Sequence, residues 1–121
     1  MIRLLDKIEE IDIETRDGPD APAHRVTIWV VADGDAVYVR SVRGSRGRWY
    51  REATAYPEAV LHVGGRTFPI HIEPVSDGAT IARVSDVFLR KYVRWPNDAS
   101  AMVRDEVLMT TLRLHPAEAS S

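Results

Sequence analysis

Val37-Tyr38-Val39-Arg40-Ser41-Val42-Arg43-Gly44-Ser45-Arg46-Gly47-Arg48-Trp49-Tyr50-Arg51 is the stretch from which the rest of the chain is read. Its first part alternates apolar and polar residues, the period of a strand. Two glycines punctuate the loop that breaks the run, and Arg46 onward has the spacing of a helix. A strand that ends in a loop of free backbone N–H groups, a helix N-terminus and several guanidiniums is suited to hold a phosphate or another anion. Arg40, Arg43, Arg46, Arg48 and Arg51 concentrate positive charge there, although the chain as a whole has a net charge of −2.

Before this stretch, Asp33-Gly34-Asp35 is a tight hairpin turn. It joins a strand over 36–42 to an earlier one over 24–32, rich in β-branched residues. A first strand covers 11–16, after an N-terminal helix over residues 1–10 on which Leu4, Ile8 and Ile11 share a face. After the stretch, Ser45 is placed as N-cap of a helix over 46–55, which Pro57 stops. A strand over 59–63, the turn Gly64-Gly65 and a strand over 66–75 follow, with Phe68, Ile70 and Ile72 inward. Pro69 suggests a sheet edge or a bulge there. Thr80 is placed as the cap of the strongest helix, 81–93, whose stripe is Ile81, Val84, Phe88 and Tyr92. A short helix over 98–104, a sixth strand over 106–114 and a mobile tail over 115–121 complete the chain. These elements predict a single domain over 1–121, mainly β with some α. Six mostly antiparallel strands with short flanking helices suggest a small barrel, because closure removes exposed edges.

Composition narrows the function. The chain has 121 residues, of which 45% are apolar and 28% charged, as in ordinary water-soluble domains. It has no cysteine, which excludes disulfides, thiolate metal sites and thiol catalysis. The early charges of Arg3 and Asp6 do not suit a signal peptide, and no apolar run reaches the ~20 residues of a membrane span. The expectation is a cytoplasmic protein with no membrane association. The slightly acidic balance argues against general binding of nucleic acid. Gly44-Ser45-Arg46-Gly47 matches the Gly-x-x-Gly loop of one class of RNA binders, but it follows a strand here where that loop joins two helices. His62 and His71 flank the Gly64-Gly65 turn, yet two histidines without a third ligand make a poor metal site. His24 and His115 carry no signal. No phosphate-binding P-loop, dinucleotide fingerprint or hydrolase elbow is present. Trp29 reads as a packing residue, and one of Trp49 and Tyr50 as core.

Val26-Thr27-Ile28-Trp29-Val30, Asp33-Gly34, Tyr38-Val39-Arg40-Ser41, Gly47-Arg48-Trp49-Tyr50-Arg51, Tyr56-Pro57 and Val60-Leu61-His62-Val63-Gly64-Gly65 together resemble the split β-barrel of the pyridoxamine-phosphate-oxidase-like superfamily. Within it, the chain is similar to a bacterial branch of unknown function. The resemblance implies a six-stranded split barrel and a homodimer that binds FMN or a deazaflavin between protomers. It implies a flavin- or deazaflavin-dependent oxidoreductase in which the cofactor carries the hydride. It also implies a set of cofactor-binding residues. Arg25 or Thr27, with Ser41, Val42, Arg43, Gly44 and Arg46, would hold the phosphate, and Trp49 or Tyr50 would wall the ring. Tyr56 stands where the family often has Asn, a departure from the oxidase pattern. A non-catalytic dimeric barrel holding another anion, or none, is the alternative.

Overall fold

Leu5 and residues 8–117 are described by the computed structural model. The expected N-terminal helix therefore lies mostly outside the described residues, as do positions 118–121.

Seven strands make one antiparallel sheet. They are β1 (Glu10–Thr15), β2 (His24–Trp29), β3 (Val31–Asp33), β4 (Ala36–Val39), β5 (Glu58–Val63), β6 (Arg66–Pro74) and β7 (Leu112–Pro116), in the spatial order β2-β1-β5-β6-β7-β4-β3. The two outermost strands, β2 and β3, are neighbours in sequence, separated by Val30 alone. A single bent stretch therefore begins the sheet at one edge and ends it at the other, which curls the sheet into a split barrel. The sequence reading of one strand over 24–32 was correct in period, but the bend makes it two strands and raises the count from six to seven.

The bend is held from outside. Val30 is fully buried, so its backbone groups need partners. Its N–H donates to the Tyr92 hydroxyl at 3.1 Å, and its carbonyl accepts from Tyr92 at 2.9 Å and from Lys91 Nζ at 2.6 Å. Burial raises the pKa of the Tyr92 phenol well above its ordinary value, so the hydroxyl keeps its proton.

Strand alternation fills the barrel. Ile11, Ile13, Val37, Val39, Leu61, Val63, Ile70, Ile72, Leu112 and Leu114 form its interior with Leu5 and Ile28. β4 is buried on both faces, because Ala36 and Tyr38 point into a second cluster outside the barrel. There α2 (Gly78–Lys91) places Val84 and Phe88, and the following Tyr92, against Val31, Ala36 and Tyr38. Burying Phe88 alone stabilises the fold by about 2 kcal/mol. α1 (Arg48–Ala55) seals the barrel with Ala53, and two short helices, α3 (Pro96–Ala101) and α4 (Asp105–Leu108), lead into β7.

Several sequence expectations are corrected. Ser45 is not a cap: residues Gly44–Arg46 form a 3-10 turn, and Gly47 begins α1 without a side-chain cap. Asp77 caps α2, accepting from the backbone N–H of Thr80 at 2.9 Å, so that helix starts earlier than its apolar stripe suggests. The expected strand over 106–114 is α4 in its first part. The hydroxyls of Thr110 and Thr111 donate to the carbonyls of Val107 and Leu108 and complete that turn. β7 in turn runs through His115 to Pro116, and Ala117 N donates to Pro69 O. Pro69 lies in an interior strand, but its backbone faces the side where β7 has ended, with Pro116 opposite Ile70. The missing N–H costs no ladder bond there.

Candidate functional site

The bend at Val30, the exit of β4 and the start of α1 surround a cleft of about 660 Å³. Val26, Thr27, Ile28 and Trp29 supply one wall, and Arg40, Ser41, Val42 and Arg43 supply the second. Gly47, Arg48 and Trp49 close one end, and Asp98, Ala101 and Met102 of α3 and its C-cap form another side, with Glu10 and His24 also at the surface.

The five arginines of the loop do different things. Arg40 is only 1% exposed and points away from bulk water. Its Nε donates to Thr111 Oγ1 at 2.8 Å, Nη1 to Ser85 Oγ and Met102 O, each at 3.0 Å, and Nη2 to Ile81 O at 2.9 Å. Every partner is neutral. Burial without a carboxylate lowers the guanidinium pKa to about 10, which leaves it charged at neutral pH. Arg40 thus ties β4 to α2, α3 and β7 and adds buried positive charge to the cleft wall. Arg43, Arg46, Arg48 and Arg51 are exposed, and among the described residues none has a side-chain hydrogen bond or ion pair. Two acids near the loop in sequence are engaged elsewhere, Glu52 with Thr15 and His24 and Glu58 with His71, and Glu10 and Asp98 share the cleft without an ion pair to Arg43 or Arg48. Arg43 and Arg48 line the cleft; Arg46 and Arg51 do not.

Ser41 is buried. Its hydroxyl donates to Gly44 O at 2.8 Å, and its N–H donates to Thr110 Oγ1 at 3.0 Å. Its proton is thus committed within the loop, so it offers the cleft lone pairs rather than a donor. Gly44 is buried at positive φ and faces Glu106, away from the cleft. Gly47 is required by the loop's own packing: a Cβ there would sit 2.6 Å from Ser41 Oγ. Val42 is 48% exposed at the rim.

Of the β2 candidates, Thr27 lines the cleft and Arg25 does not. Both serve Asp12 on the neighbouring strand, Thr27 through a 2.5 Å hydrogen bond and Arg25 through a 2.8 Å ion pair. The Thr27 hydroxyl first, and then Arg25, hold the Asp12 carboxyl below its ordinary pKa. Trp49 lines the cleft, while Tyr50 meets it edge-on and packs against the barrel core. Trp29 combines both roles, stacking on Tyr92 at 3.8 Å with the rings 2° from parallel while also lining the cleft.

The structure therefore gathers Thr27, Ser41, Val42, Arg43 and Trp49 at one cleft and leaves Arg25, Gly44, Arg46 and Tyr50 off it. It adds Arg48, Gly47, Trp29 and Arg40, which the sequence had placed nearby. It also adds His24, Glu10 and Asp98, which no local spacing connects to the loop. His62 and His71 do not meet, because β5 and β6 pair His62 with Thr67 and His71 with Glu58. Among the described residues, no three metal-ligating side chains gather. Among them also, no helix is long and apolar enough to cross a membrane.

Known proteins share this fold. HutZ, the heme storage protein of Vibrio cholerae, superposes with a TM-score of 0.68 at 12% identity, covering 96% of this chain and 87% of that one. An F420-H2 dependent reductase gives 0.64 at 11% identity, covering 88% and 93%. A putative pyridoxamine 5'-phosphate oxidase from Listeria innocua gives 0.62 at 12% identity, covering 95% and 87%. Among curated proteins nothing matches the chain. Residues 1–114 match the family described as "Uncharacterized protein conserved in bacteria (DUF2255)". The chain belongs to that bacterial family, and its fold is the split β-barrel that these solved structures share.

Proposed function

We propose that the cleft binds the phosphate-bearing end of a flavin-type cofactor, FMN or a deazaflavin, and that the protein is a cytoplasmic oxidoreductase acting as a homodimer. The observation that carries this reading is the pair Arg43 and Arg48: two guanidiniums at one cleft, with no acid paired to either among the described residues. Charge-assisted bonds from such groups contribute roughly 1.5–3 kcal/mol each. Arg40 adds buried positive charge to the cleft wall. Trp49 and Trp29 offer indole surface to a ring system. The donor set fits an anionic cofactor at one end, while Glu10 and Asp98 disfavour a second anion beside them. Bound there, the cofactor would supply hydride chemistry, and the chain would supply position and charge. The rim residue Val42, 48% exposed, gives a second protomer an apolar side chain to cover.

The test is a titration of the purified chain with FMN and with a deazaflavin, followed by absorbance and fluorescence. Arg43→Ala combined with Arg48→Ala is expected to weaken binding at least tenfold, whereas Arg46→Ala, off the cleft, changes it little. Equal affinity in all three proteins contradicts the assignment. A chain that binds inorganic phosphate but neither cofactor supports the alternative, a non-catalytic barrel holding a different anion.

A further inference from the structure

We propose that His24, held by Glu52, exchanges a proton with the ligand that occupies the cleft. The inference rests on the reading of that cleft as a ligand site. Glu52 projects from α1 with its side chain only 10% exposed. One carboxylate oxygen accepts the Thr15 hydroxyl at 2.9 Å, and the other meets His24 Nδ1 at 2.7 Å. Thr15 and His24 are cross-strand partners at the end of the β1–β2 ladder, so strand register sets the spacing of the two groups that grip the carboxylate. A carboxylate can only accept, so Nδ1 must donate, and in the neutral ring Nε2 is left as a bare lone pair. His24 lines the cleft, and among the described residues Nε2 has no partner. A buried acid that fixes one ring nitrogen of a histidine at the edge of a ligand space is the arrangement of a general base or acid.

The remaining histidines also touch glutamates, but none of those glutamates is as buried as Glu52. His71–Glu58 and His115–Glu73 are largely exposed pairs, and none of His62, His71 and His115 borders this cleft. His24 therefore combines a buried acid, a free nitrogen and a ligand cavity.

The ligand it serves carries an ionisable O–H or ring N–H. That proton passes to Nε2, and the electron pair of the broken bond stays on the ligand. The imidazolium is balanced by the Glu52 carboxylate, which keeps its charge, and the reverse step returns the proton. No electrons are gained or lost. The charged groups that share the cleft are Glu10, Arg40, Arg43, Arg48 and Asp98, and the three arginines favour the anion left on the ligand.

Nitrogen-15 NMR of the imidazole rings of the full chain tests this, with FMN and then a deazaflavin as probes. At mildly alkaline pH, His24 is expected to show the Nδ1–H tautomer, and probe binding is expected to shift its Nε2 resonance while His71 stays unchanged. Glu52→Met is expected to move His24 to the Nε2–H tautomer; if that variant does not fold, Glu52→Gln, whose amide oxygen can still accept from Thr15 while its NH2 donates to Nδ1, is expected to shift the ratio the same way. An Nε2–H tautomer in the wild type overturns the inference. So does an unmoved Nε2 resonance when a probe binds in an Arg43- and Arg48-dependent manner, and the cleft assignment then stands. If neither cofactor binds, the cleft assignment falls and the inference falls with it.

Discussion

Gly47 and Arg40 show how much of the arginine loop is fixed by single atoms. Replacing Gly47 by Ala puts a methyl group 2.6 Å from Ser41 Oγ, which is already bound to Gly44 O. The loop must open to admit it, so Gly47→Ala is expected to destabilise the protein by about 1–3 kcal/mol, read as a lower urea midpoint. Arg40 holds four neutral acceptors through one planar group. Lysine cannot reach them together, so Arg40→Lys is expected to cost about 2 kcal/mol in the same assay, with buried acceptors left unpaired. The sequence placed Arg40 in the same cluster as Arg43 and Arg48, because adjacency along a chain does not reveal burial. Its strand position did hold the clue: it alternates with Val39, a barrel residue, so its side chain leaves on the face that α2 covers. His24 and Glu52, 28 positions apart, had no such clue. Only the pairing of β1 with β2 and the docking of α1 bring them together.

The bend between β2 and β3 depends on the end of α2. The Tyr92 oxygen also lies 2.6 Å from Glu9 O, so its one proton is shared between the Glu9 and Val30 carbonyls and the phenol serves two segments of the sheet edge. Tyr92→Phe keeps the ring stack on Trp29 but leaves the Val30 N–H unsatisfied. It is expected to lower stability by about 1–3 kcal/mol and to accelerate hydrogen exchange at the Val30 amide above all others in β2 and β3. At the other edge, Asp12 ties β2 to β1. Its pKa is depressed in the folded state by Thr27 and Arg25, so its stabilisation is fully present above the ordinary carboxylate value and is lost as pH falls through the folded one. Urea midpoints measured from neutrality to below about pH 4 should therefore fall less in Asp12→Asn than in the wild type. The elements were legible wherever apolar period and turn chemistry agreed. The Gly64-Gly65 hairpin and the stripe of α2 stand where they were placed. Segments closed by hydroxyls, such as Thr110-Thr111 after α4, carry no periodic mark and were read as strand.

The barrel as a whole is one curled sheet, split between β2 and β3, with a guanidinium-lined opening. The curl follows from chain order: a single stretch bends at Val30 and provides both edges of the sheet. The opening lies beside that bend, so the residue that shapes the barrel also shapes the site. If two copies meet at this opening, a native mass spectrum should show a dimer, and Val42→Glu at the rim should shift it toward monomer. The central claim is that Arg43 and Arg48 grip a phosphate. The most direct measurement compares the affinity of the wild-type protein for FMN with its affinity for riboflavin, and for a deazaflavin with and without its phosphodiester. At least one phosphorylated form should bind tenfold or more tightly than its phosphate-free counterpart; indistinguishable affinities within both pairs would contradict the account.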